Sequence, residues 1–158
     1  GWSLAGAGNY AGDQYQVFVI GQNGVTDVAS LTTLLSAGTD VSSYAFGSGN
    51  VNASGAANVT STASGKTLGA GTYTAFYVVY DAPSPSSGKA NFAVVSGGTG
   101  LTKTISGTTS SITFTGGNQS ALLNDPNNWK TYGPVPEPTT ALLLLVGVAG
   151  LALKRKVA

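Results

Sequence analysis

Tyr73-Thr74-Ala75-Phe76-Tyr77-Val78-Val79-Tyr80-Asp81 is the stretch that decides the fold. Aromatic and β-branched residues dominate it, which predicts a strand. Alternation puts Tyr73, Ala75, Tyr77 and Val79 on one face and Phe76, Val78 and Tyr80 on the other. Both faces are apolar, so this strand should sit centrally in a sheet that is covered on each side.

Working outward, Gln14 to Ile20 begins by alternating and then turns fully apolar, as a strand entering a core does. Gly21 to Gly24 ends in Asn23-Gly24 and predicts a turn. Asp27 caps a short helix with Val28, Leu31, Leu34 and Leu35 on one side, and Gly38 stands where the helix should stop. This is read as the body's only helix. Asp40 to Phe46 is expected to be a strand with Tyr44 and Phe46 on one face. Gly47 to Ser54 is expected to be a loop, and Ala56 to Thr62 a Thr-rich strand.

On the other side, Pro83 and Pro85 break the chain. Strands follow over Lys89–Ser96, where Phe92 and Val94 point together, and over Leu101–Ser106. A further strand over Ser111–Thr115 has Ile112 and Phe114 on one face. Gly116 to Tyr132 reads as irregular, with Trp129 covering one end of the core. Short strands with Gly-rich links predict a mainly β protein: an antiparallel β-sandwich with one short helix, plus a C-terminal hydrophobic helix.

Composition narrows the chemistry. Charged residues are 8% of the 158, against roughly 25% in ordinary globular chains. Apolar residues are 42% and fall in runs, which favours a folded domain over a disordered one. There is no Cys and no His. That removes disulfides, thiol nucleophiles, the commonest general base and most zinc sites. The body carries Asp13, Asp27, Asp40, Asp81 and Asp125 against Lys66, Lys89, Lys103 and Lys130, with no basic patch for nucleic acid. The chain begins Gly1-Trp2, as expected of a mature end left after a signal peptide is removed.

The last residues have a different character. Val135-Pro136-Glu137-Pro138 follows Gly133-Pro134 and predicts an extended, polyproline-like spacer. Thr139 to Leu153 has no charge and is mostly Ala, Leu and Val. As a helix, capped by Thr139 or Thr140, it would measure roughly 22 Å at 1.5 Å per residue. A helix apolar all round is buried in protein or in lipid. Lys154-Arg155-Lys156 follows and predicts a cytoplasmic C-terminus with an exported body. A core helix of a soluble domain is the competing reading. It is disfavoured because nothing on this helix is polar enough to face water.

This order of a Pro-Glu-Pro element, an apolar helix and a short basic end resembles the PEP-CTERM sorting signal of Gram-negative bacteria. The resemblance implies recognition at Pro136, Glu137 and Pro138 by exosortase, an integral-membrane thiol transpeptidase. It implies a membrane or assembly helix including Thr139, Leu142, Leu145, Gly147, Gly150 and Leu153, and a basic stop at Lys154, Arg155 and Lys156. Export to the envelope, cell surface or extracellular matrix would follow, with a transient or retained inner-membrane anchor. The chain then divides into an exported body (1–132), a Pro-rich linker (133–138) and a helical tail (139–158).

The body names no catalytic, cofactor-binding or metal-binding residue. A glycosidase needs two carboxylates across a sugar; no pair here is near in sequence, though Asp27 and Asp40 could meet in space. No D-x-D-x-D spacing marks a calcium loop. Tyr10, Tyr15, Tyr44, Tyr73, Tyr77, Tyr80, Trp2 and Trp129 would form a sugar platform if exposed, or a core if buried. The leading expectation is a non-catalytic surface or matrix protein. It would self-associate through uncharged strand edges, its Ser/Thr/Gly coat suits packing against exopolysaccharide, and a filament subunit is the sharper version. Leu- and Val-rich tail helices with Gly147 and Gly150 would pack between subunits. A carbohydrate-binding or adhesive module is the alternative.

Overall fold

The computed structural model describes residues 13–51, 58–62, 66–81, 91–108 and 112–133. The strands are β1 (Gln14–Val19), β2 (Gly47–Asn50), β3 (Asn58–Thr62), β4 (Gly71–Tyr80), β5 (Asn91–Val95), β6 (Thr102–Ile105), β7 (Thr113–Asn118) and β8 (Trp129–Thr131). The α-helices are α1 (Val28–Ser36) and α2 (Ser120–Asn124). Every strand pair is antiparallel.

β4 is the spine. A six-stranded sheet runs β2-β1-β4-β5-β8, and β6 pairs with the first half of β4. The register sets Val17 opposite Tyr77 and Phe18 opposite Phe76. On one face, Tyr15, Val17, Val19, Ala75, Tyr77, Val79, Ala93 and Val95 pack with Phe46, Leu101, Phe114, Leu123 and Trp129. On the other, Phe18, Phe76, Val78, Tyr80 and Phe92 pack with Leu31 and Leu35 of α1, Val25 and Val41. The two-sided burial expected of the central strand is therefore present, and Phe92 and Val94 lie on one side of it. Burying these side chains contributes roughly 1.5–3 kcal/mol each, which is what makes the sheet a core rather than a surface.

α1 forms where the sequence placed it. The Asp27 carboxylate accepts from the Ser30 amide at 2.6 Å, satisfying a donor the helix itself leaves open. At the other end Gly38, at φ 78°, donates to Leu35 O and Thr39 donates to Leu34 O. This pair of bonds is a Schellman stop, and it favours glycine because the backbone is left-handed there. Asn23 (φ 52°) and Gly24 (φ 84°) make the predicted turn.

Several expectations need correction. Asp40–Phe46 is not a strand: the Asp40 carboxylate accepts from the Ser42 amide and hydroxyl, and Ser42–Tyr44 winds into a 3-10 turn. Tyr44 and Phe46 consequently join opposite cores. The expected loop at Gly47–Ser54 contains β2, because ladder pairing uses only the backbone, and Gly49 leaves room for the Tyr15 ring opposite it. α1 is not the only helix, and Gly116–Tyr132 is not irregular. β7 runs on to Asn118, α2 buries Leu123, and β8 pairs with β5. Trp129 does close one end of a core, with its indole N–H donating to Leu123 O at 2.9 Å.

The layers differ from a plain two-sheet sandwich. One wide sheet carries the two-stranded β3–β7 sheet on one face and α1 on the other. The Tyr77 hydroxyl reaches across the first of these interfaces and donates to Phe114 O.

Candidate functional site

Two polar constellations and one junction stand out on this scaffold. The first starts in the core. Gln16 is 3% exposed beneath the α1 layer, where an amide needs partners. Its Oε1 accepts from the Tyr80 hydroxyl at 2.6 Å and its Nε2 donates to Ser42 Oγ at 3.2 Å. Ser42 Oγ in turn donates to Asp40 at 2.6 Å. Burial holds the Tyr80 phenol well above its ordinary range, so it stays a neutral donor. This chain ties β1, β4 and the 3-10 turn together, running from the buried Tyr80 and Gln16 out to Ser42 and Asp40 at the surface.

The second lies at one end of the sheet, where Asp13 precedes β1 and Asp81 follows β4. Burial pushes the Asp13 carboxyl up to about 6, and the Asp81 charge adds to the rise. Asp81 accepts from the Asn91 amide at 2.9 Å and from Asn91 Nδ2 at 2.8 Å, which closes the end of β5. The strand register brings these two acids to the same end. The clue in the sequence was that each Asp flanks an apolar strand, and the pairing itself needed the register.

Asp27 and Asp40 do not meet. They sit beyond opposite ends of α1, whose nine residues span about 14 Å; Asp27 caps the helix and Asp40 bonds the turn at Ser42. Among the described residues, no group of three or more acidic side chains comes together to hold a metal ion. Tyr15, Tyr77, Tyr80 and Trp129 are buried, and Tyr44, Tyr73 and Tyr132 half-buried, so no exposed aromatic row exists among the described residues. Trp2 and Tyr10 lie outside them. A shallow groove of about 460 Å³ runs along β6, lined by Lys103–Thr108 and Ile112.

The junction is the third feature. Tyr132 packs edge-on against Tyr80, with ring centres 6.4 Å apart. Its hydroxyl donates to Gly38 O and Thr39 O, both at 3.0 Å, and the Gly133 amide donates to Leu35 O at 3.0 Å. Gly38 O and Thr39 O lie just past the helix, and Leu35 O, which already accepts from Gly38, takes the Gly133 amide on its second lone pair. The last described residues before the tail are thereby stapled to the C-terminal end of α1.

Pro136, Glu137 and Pro138, the helix from Thr139 to Leu153 with Leu142, Leu145, Gly147 and Gly150, and Lys154, Arg155 and Lys156 all lie outside the described residues. Among the described residues, no helix is long and apolar enough to cross a membrane. Comparison with protein families matches residues 134–156 to the PEP-CTERM protein-sorting motif. No curated protein and no solved structure matches the chain. The motif marks an exported, envelope-associated protein that is sorted by exosortase. The chain is, by that tail, a PEP-CTERM domain-containing protein.

Proposed function

We propose that the body is a non-catalytic structural domain of the cell surface or extracellular matrix, delivered by its sorting tail and assembling with copies of itself. In this reading Pro136, Glu137 and Pro138 are gripped by the processing enzyme. Thr139–Leu153 is the anchor, and Lys154–Lys156 holds it in the inner membrane. The observation that carries the proposal is the location of the aromatic residues. The large rings of the described body are spent in the two cores, which leaves little stacking surface for a sugar. The edge strand β2, Gly-Ser-Gly-Asn, carries no charge to discourage pairing with another copy. A filament is the sharper form of the same idea.

The test is sedimentation velocity and electron microscopy on the protein recovered from native cell surfaces, across a wide concentration range. Concentration-dependent ordered polymers are expected. A monomer at every concentration would sink the assembly reading, and a monomer retained on the host's own exopolysaccharide would favour a carbohydrate-binding module instead.

A further inference from the structure

We infer that the end of the body around the α1 C-terminus is a docking surface for the membrane-embedded transpeptidase that reads the Pro-Glu-Pro motif. The inference rests on the sorting tail being processed, and adds where on the body the processing enzyme must sit. Its basis is the clasp. Gly133 is bonded to Leu35 O, and Tyr132 to Gly38 O and Thr39 O, so the tail leaves the body at one fixed point. Gly133 also lies against the α1 stop: a Cβ built on it would stand 3.6 Å from Gly38 Cα.

Covalent reach does the rest. Pro136 is three residues beyond Gly133. Even fully extended, three residues span at most about 11 Å. That is about one helix diameter. An enzyme closing on Pro136, Glu137 and Pro138 therefore has to bring its own walls against the body surface at the exit. Ser36, Ala37 and Asp40 are exposed there, each within one residue of a carbonyl that the clasp occupies or of its helix stop. Ser36 and Ala37 are small, and Asp40 is the one charge among these three residues, which suits close approach by a protein wall.

The experiment measures the rate at which full-length chain is converted to the shortened form in the native host, by pulse-chase and intact mass. Ala37→Arg and Ser36→Arg add bulk at the exit. Positive charge at a helix C-terminus is favourable, so these variants retain the fold. Each is expected to slow conversion by about tenfold, the effect of losing one good contact. Thr104→Arg, an exposed position on β6 at the other end of β4, is the control and should convert at the parent rate. Inserting about ten Gly and Ser residues after Gly133 adds roughly 17 Å of root-mean-square reach. That insertion should restore parent-like conversion to Ala37→Arg. Unchanged conversion of both Arg variants would overturn the docking surface. So would slowing that persists in full with the long spacer. If the parent chain is itself never shortened, the processing reading falls, and the docking proposal with it.

Discussion

The two faces of the central sheet are covered by layers of very different sequence range. The α1 face is closed mainly by residues 25 to 45, the segment that follows β1, with Tyr132 added at one end. The opposite face is closed by Phe46, Leu101, Phe114 of β7, Leu123 and Trp129, drawn from across the body. The first layer can form from local contacts. The second must close long loops before it gains any burial, which is entropically costly and slow. The anchoring chemistry differs as well. The α1 face holds a polar chain through the buried Gln16 and Tyr80, whereas on the β3–β7 face the Tyr77 hydroxyl and the Trp129 indole donate to the backbone carbonyls of Phe114 and Leu123.

The largest effect should come from truncating one ring on each face. Phe76 stacks on Phe18 with ring centres 5.4 Å apart, and Phe114 meets Phe46 edge-on at 6.3 Å. Both are fully buried. Phe76→Ala and Phe114→Ala should each cost about 3–5 kcal/mol in urea unfolding. The comparison is sharpened by hydrogen exchange. Phe114→Ala should expose β3 and β7 amides first while β1 and β4 stay protected, and simultaneous loss of both would show that the faces are one cooperative unit.

Next come the glycines where layers touch. A Cβ on Gly100 would collide with the backbone carbonyl of Thr115 in β7, which cannot step aside without moving the strand. On the edge of the sheet, a Cβ on Gly49 would stand 2.5 Å from the Tyr15 hydroxyl, the far end of a side chain. Overpacking costs about 1–3 kcal/mol, so Gly100→Ala should fall at the top of that range and Gly49→Ala near the bottom. The reverse order in thermal melts would show that β7 is the more yielding layer.

Legibility in the sequence followed the same division. Asp27, the Leu31–Leu35 spacing and Gly38 marked α1 because caps and periodicity are local signals. Tyr73–Asp81 announced a central strand because both of its faces were apolar. β2 was not legible, since Gly-Ser-Gly-Asn has no apolar side chain to mark a strand and pairs with β1 through its backbone. Asp40–Phe46 misled because its apolar residues alternate while Asp40 bends the backbone into a turn. α2 and β8 are too short for periodicity, and only the β5 partner makes Trp129–Thr131 a strand. The clasp escaped notice because a Tyr-Gly before a proline carries no sign of the helix it will bond, more than ninety residues earlier in the chain for Tyr132. The sorting tail was readable without any fold, since a processing enzyme reads covalent sequence.

A smaller effect separates the polar anchors. Tyr80→Phe keeps the ring and removes the donor to Gln16 Oε1, leaving a buried acceptor with a lost partner. That should cost about 1–3 kcal/mol. Adding Gln16→Leu to the same chain should recover part of the loss, because both polar groups are then gone. If the double variant is less stable than the sum of the two singles, the Gln16 chain contributes more than satisfaction of its own atoms, and the α1 face depends on it for specificity.

The smallest effect is a pH dependence at the Asp13 end of the sheet. Asp13 ordinarily titrates at 3.8 and is pushed up to about 6 in the fold, chiefly by burial. Between those values the folded chain holds a proton that the unfolded chain has released. Stability therefore declines as pH rises from about 4 to about 6, and stays at its lower value above that window. This is opposite in sign to Asp27, whose carboxyl is held below its usual range by the Ser30 amide and stabilises the fold once ionised. Asp13→Asn keeps the shape, removes the titration and should raise the melting temperature at pH 7 while leaving it nearly unchanged at pH 4. A gain of equal size at both pH values would mean that the Asn stabilises by packing or bonding. The buried charge would then be no liability to this end of the sheet.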